Sequence, residues 1–124
     1  MTSSQRSPPD TSIASRLEGE LEGELLFDSF NRGLYSTDAS IYQIEPAGVV
    51  IPKTTTDVFR TLEIANEAGV SVTPRGAGTS QSGQAIGAGL VVDTSKYLTG
   101  IGELDRDAQT ILVQPGVVLD RLNR

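Results

Sequence analysis

The sequence predicts an α+β fold, a β-α-β unit followed by further strands, and three observations carry that prediction. The apolar run in "AGVVIP" has the length of a short buried strand and is bounded by Gly and Pro. A helix-periodic stretch follows between Thr55 and Gly69, and "VSVTP" then supplies a second strand. Beyond these, "GLVVDT", "GIGELD" and "TILVQPG" are three more short strand-like runs separated by turn residues.

In chain order, residues 1–12 are rich in Ser, Thr and Pro without periodicity and read as a disordered N-terminus. Residues 13–40 read as a helical and turn-rich lead-in. Ile13, Leu17, Leu21 and Leu25 recur at helical spacing, which predicts one amphipathic helix from Ile13 to Phe30. Gly19 and Gly23 each weaken that helix by about 1 kcal/mol relative to alanine. The near-duplicate "LEGELEGEL" is too short for an architectural repeat and reads as a solvated acidic face. "NRGLYSTDASIYQIEP" is rich in turn residues, with Tyr35 and Tyr42 read as core or interface residues.

Residues 41–124 read as the main domain. In its first helix Thr55 or Thr56 is the expected cap, Asp57 suits the positive end of the helix dipole, and Val58, Leu62 and Ala65 share a face. Gly69 is the expected stop. Strands flanking this helix would connect by a right-handed crossover if parallel and in one sheet. "RDAQ" joins two later strands as a hairpin. "VVLDRLNR" begins a helix whose Val117, Val118 and Leu122 form an apolar stripe with no following element, so the sequence reads as truncated.

Composition narrows the chemistry. The 124 residues contain no cysteine and no histidine, which excludes disulfides, thiolate metal sites and histidine triads within this segment. A net charge of −6 argues against nonspecific binding to nucleic acid or to an anionic membrane surface. No apolar run approaches the roughly 20 residues that span a bilayer, and the first residues lack a signal-peptide core. A cytoplasmic location is the expectation, with peripheral attachment to a membrane left open for a longer protein. Charge is also uneven: "LEGELEGELLFD" holds five carboxylates, whereas residues 68–92 hold one charged side chain, Arg75.

That cleared stretch carries five glycines between Gly76 and Gly89. Two phosphate-binding patterns fail there. GxGxxG would need glycine where Gln81 stands and a helix where a strand follows; the P-loop would need Lys and a hydroxyl residue where Gln84 and Ala85 stand. What remains is a strand, a Pro-Arg-Gly-x-Gly-Thr-Ser loop, Gly83, and a strand. Gly76 and Gly78 can turn successive amides toward an anion, Thr79 and Ser80 add hydroxyls, Arg75 can offset charge, and Pro74 stiffens the approach. A glycine connection that binds nothing is the other reading the residues leave open. Asp28, Asp38 and Asp93 read as ordinary carboxylates, Asp93 as a partner of local backbone donors at a strand end.

"PRGAGTSQSGQAIGAGLVVDTSK" resembles the pyrophosphate loop of the FAD-linked oxidases with a vanillyl-alcohol-oxidase type of flavin domain. "LYSTDASIYQIEPAGVVIPKTTTDV" and "VQPGVVLDRLN" are similar to that family in the right order, in particular to its D-2-hydroxyacid dehydrogenases of the glycolate, D-lactate and D-2-hydroxyglutarate types. The resemblance covers roughly residues 24–124 and implies the N-terminal lobe of such a domain, with FAD as cofactor. It implies that Arg75, Gly76, Ala77, Gly78, Thr79 and Ser80 bind the pyrophosphate, that Gly83 and Gln84 close the loop, and that Gln114–Gly116 pack near the flavin. Gln81 departs from the family's usual apolar residue. The implied activity is hydride transfer from a small D-2-hydroxyacid to FAD, with an electron acceptor as second partner. Substrate recognition would need residues beyond this stretch, which alone is expected to be inactive, and none of its residues is assigned as catalytic. The reading from another class is a non-catalytic nucleotide- or anion-binding module.

Overall fold

Residues 11–124 are described by a computed structural model; the expectation for the N-terminus lies, through residue 10, outside the described residues. The central sheet has the order β1-β2-β4-β3 and comprises β1 (Glu24–Leu26), β2 (Gly48–Ile51), β3 (Val72–Arg75) and β4 (Leu90–Asp93). Strands β2, β4 and β3 run parallel, and β1 lies antiparallel to β2 with Leu25 opposite Val50. The two inner strands, β2 and β4, are buried throughout, the usual state of parallel strands covered on both faces.

Alternation along these strands makes two cores. Val50, Leu90 and Val92 meet Ile13 and Leu17 of α1 (Thr11–Leu17) and Ile64 and Ala65 of α3 (Thr55–Ala68). On the opposite face Val49, Ile51 and Val91 pack with Leu26, Tyr35 and Tyr97. Helix α2 (Ser29–Leu34) is capped by Asp28, whose carboxylate accepts from the Asn31 amide.

The lead-in is not the single helix that its leucine spacing predicts. Helix α1 ends at Leu17, Gly19 turns the chain at φ +80°, and residues 24–26 join the sheet as an edge strand. Gly23 explains why. A side chain there would overlap the Ile51 carbonyl, so glycine lets the chain close against β2. Leu25 thus belongs to a strand register rather than to a helical stripe, and tertiary pairing overrides the local period.

Helix α3 is capped by Thr54 rather than Thr55 or Thr56; its hydroxyl accepts from the Asp57 amide. Gly69 ends it in the left-handed conformation, with the Val70 amide returning to the Ala65 carbonyl. Its inward face is Asp57, Thr61, Ile64 and Ala65, a rotation away from the Val58–Leu62 stripe, and Leu62 is exposed. Buried Asp57 is bound rather than merely placed near the dipole. Its carboxylate accepts from the amides of Glu22 (3.0 Å), Gly23 (2.9 Å) and Lys53 (2.9 Å). Burial alone would raise this carboxyl, but those bonds, Lys53 first, hold it below the usual Asp value.

Strands β2 and β3 flank α3 in one sheet, yet β4 sits between them. After β4, β5 (Ile101–Asp105) and β6 (Thr110–Val113) form the expected hairpin, exposed along nearly its whole length, with Gln109 at φ +56° in its turn. Helix α4 (Leu119–Leu122) begins later than expected; Val118 stands at its N-cap, and Val118 and Leu119 are exposed.

Candidate functional site

Strands β3 and β4 are parallel neighbours, so the chain leaving the carboxyl end of β3 must return along the sheet before β4 can begin. Four residues of strand span roughly 13 Å. The return is made by residues 76–89 without a helix. Two glycines let it lie tight on β3: a side chain on Gly87 would strike the Thr73 hydroxyl, and one on Gly89 would strike Ser71. Gly78 (φ +71°) and Gly83 (φ +78°) are needed for their left-handed turns.

Gly76 differs from these four. Its φ is not in the left-handed range, and nothing lies within 4 Å of the place a side chain would take. Neither backbone conformation nor packing within the described residues demands glycine there. It opens the loop at the carboxyl ends of the parallel strands, where open α/β sheets receive ligands. Among the described residues, the amides of Gly76, Ala77, Gly78 and Thr79 donate to no protein acceptor. Beside Gly76 is a largely apolar cavity of about 510 Å³ whose lining includes Val58, Leu62, Pro74, Arg75, Thr94 and Pro115.

Arg75 lies beneath the loop. Its Nη1 donates to the carbonyls of Thr37 (2.7 Å) and Ala85 (3.3 Å), and its guanidinium sits 5.1 Å from the centre of the Tyr35 ring. A side chain on Gly78 would overlap that guanidinium. The Tyr35 hydroxyl donates to Asp93 (2.5 Å), whose other oxygen accepts from the Ser95 amide (2.8 Å) and hydroxyl (2.6 Å). Burial, with the Asp93 carboxylate beside it, pushes the Tyr35 phenol well above its ordinary range, so it remains a donor.

The closing turn is self-contained. The Ser80 hydroxyl donates to the side-chain carbonyl of Gln84 and accepts from the Gln84 amide (3.2 Å), so it is engaged within the loop. Thr79 is exposed, as is Gln81, whose departure from an apolar residue therefore disturbs no packing. Asp38 accepts from the amides of Ser40 (2.8 Å) and Ala85 (3.4 Å) and stays below its ordinary pKa, Ser40 being the largest cause. Gln114–Gly116 passes the end of β4: the Gly116 amide donates to the Leu98 carbonyl (2.8 Å), and a side chain on Gly116 would strike the Thr94 carbonyl.

The structure thus brings residues 75–84 together at one end of the sheet. The sequence carries no physical signal for Tyr35, Thr37 or Asp38 as supports of the loop, because the segment that holds them is irregular. Among the described residues no group of three or more acidic, histidine or cysteine residues could hold a metal ion, and no helix is long and apolar enough to cross a membrane.

Comparison with known proteins shows the family and the fold. Residues 46–124 match a family described as an FAD binding domain. The chain is 39% identical over 106 residues to D-2-hydroxyglutarate dehydrogenase of Haemophilus influenzae, covering 83% of this chain and 10% of that protein. It is 37% identical over 103 residues to glycolate oxidase subunit GlcD of Bacillus subtilis, covering 80% of this chain and 22% of that one. Among solved structures, an alkyldihydroxyacetonephosphate synthase superposes with a TM-score of 0.77 at 18% identity, covering 94% of this chain and 25% of that chain. The fold is that of the N-terminal lobe of a vanillyl-alcohol-oxidase-type FAD-binding domain.

Proposed function

The chain belongs to the FAD binding domain family, and from that premise we propose that residues 75–84 hold the FAD pyrophosphate in an oxidoreductase acting on a small D-2-hydroxyacid. Gly76 is the observation that carries the loop assignment. A glycine required by nothing inside the protein, at a strand end with undonated amides beside it, is explained by close approach of a ligand. The loop amides supply donors to an anion, and glycine at position 78 permits the left-handed turn between them. Thr79 adds an exposed hydroxyl, while Ser80 and Gln84 hold the shape of the closing turn. When bound, FAD supplies the hydride acceptor.

The substrate class rests on the similarity to D-2-hydroxyglutarate dehydrogenase and glycolate oxidase subunit proteins. The chain spans about a tenth of the first of these, and no residue described here is assigned to substrate recognition or proton abstraction. The 124 residues by themselves are expected to turn over no hydroxyacid. The test is expression from the complete reading frame, followed by an absorbance spectrum and dye reduction with D-2-hydroxyglutarate, D-lactate and glycolate. A bound flavin reduced by a D-hydroxyacid and not by its L-enantiomer supports the proposal. A protein free of flavin after purification and reconstitution contradicts it.

A further inference from the structure

We infer that Tyr35, locked by Asp93, is a positioning residue that fixes Arg75 beneath the nucleotide loop and thereby sets the loop's affinity for a diphosphate. The inference rests on the loop's proposed role. It begins from a chain of contacts joining three parts of the sequence. Asp93 closes β4, Tyr35 follows α2, and Arg75 closes β3.

Asp93 is buried and its two oxygens divide their work, one accepting from the Ser95 amide and hydroxyl and the other from the Tyr35 hydroxyl. The ring is therefore held at its hydroxyl end by a charge-assisted bond. Its face carries the Arg75 guanidinium at 5.1 Å, within cation–π range. That guanidinium grips Thr37 and Ala85, one carbonyl on each side of it in sequence, and fills the space under Gly78. Arg75 has several rotatable bonds, and the Tyr35 face removes that freedom before a ligand arrives. Preorganisation of this kind appears as affinity.

The experiment uses the full 124-residue chain titrated with ADP, followed by amide and arginine Nε–Hε resonances. In the wild type ADP shifts the amides of residues 76–80, and the Arg75 Nε–Hε signal is displaced by the tyrosine ring current. Tyr35→Leu weakens ADP binding about tenfold, between the exposed and the desolvated scale of a cation–π contact as suits two half-buried partners, and returns the Arg75 signal to an ordinary position. Tyr35→Phe keeps the ring and its core packing but loses the bond to Asp93, so it recovers only part of the affinity and only part of the Arg75 displacement, whereas a merely structural role would be rescued in full. Thermal melting of both variants checks that they are folded. Folded Tyr35→Leu that binds ADP as the wild type does would overturn this inference alone. A folded wild type in which ADP shifts no loop amide would overturn the loop's role and the inference with it.

Discussion

The Arg75 guanidinium occupies the space that a side chain on Gly78 would need. Gly78 also holds a left-handed φ of +71°, which costs other residues about 1–3 kcal/mol. Gly78→Ala should therefore lower the melting temperature and weaken nucleotide binding, and Gly78→Val should abolish binding. Glu63→Gln, an exposed change on α3, should alter neither. Calorimetric titration with ADP and a thermal melt check all three. Normal affinity in Gly78→Val would contradict the packing described here.

Arg75 tests the chemistry of its own side chain. Arg75→Ala should weaken FAD affinity by about 1.5–3 kcal/mol, the range of hydrogen bonds to a charged group. Lysine keeps the charge but cannot lie flat on Tyr35, so Arg75→Lys should recover only part of the loss. Flavin fluorescence titration of protein from the complete reading frame measures both. Equal affinity for lysine and arginine would show that charge alone suffices.

Asp57 gives a dependence on pH. Its folded carboxyl lies below the unfolded Asp value near ~3.9. The stability it contributes is present above that unfolded value and is lost as pH falls through the lower folded value. Asp57→Asn removes one of the two oxygens that share three amides and should cost about 1.5–3 kcal/mol at pH 7. Urea unfolding at pH 7 and at about pH 3 should show the gap between variant and wild type narrowing in acid. A constant gap would mean that the carboxylate charge contributes nothing.

Two glycines in the lead-in should respond in opposite directions. Gly33 lies in α2 with an ordinary φ and open space around it, so Gly33→Ala should stabilise by about 0.5–1 kcal/mol. Gly23 faces the backbone of Ile51, Pro52 and Lys53, so Gly23→Ala should destabilise by about 2 kcal/mol or more. Chemical denaturation of both variants checks the pair. Destabilisation by both would point to a simple intolerance of change in this segment.

The contrast between those glycines shows what the sequence could disclose. Strands β2, β3 and β4, the end of α3 at Gly69 and the β5–β6 hairpin were legible because apolar runs and turn residues are local signals. The lead-in was not. Ile13, Leu17, Leu21 and Leu25 keep helical spacing, but Leu25 faces Val50 across a strand pair that only the folded sheet supplies. Asp57 could be placed in a first helical turn, yet its partners at Glu22 and Gly23 lie in that misread segment. The loop followed the same rule: its glycines and lone arginine were visible, whereas Tyr35 and Thr37, which fix that arginine, carry no periodic signal.

Gly76 tests the central claim most directly, because the fold itself has no need of a glycine there. Its surroundings leave room for a methyl group and its φ suits any residue. Gly76→Ala should therefore melt at or above the wild-type temperature while losing most of its affinity for ADP, and for FAD in protein from the complete reading frame. The decisive measurement is the ADP dissociation constant of folded Gly76→Ala beside its melting curve. Lost binding with unchanged or raised melting is the predicted result. Wild-type binding in that variant would show that the diphosphate does not approach Gly76, and would contradict the assignment of this loop.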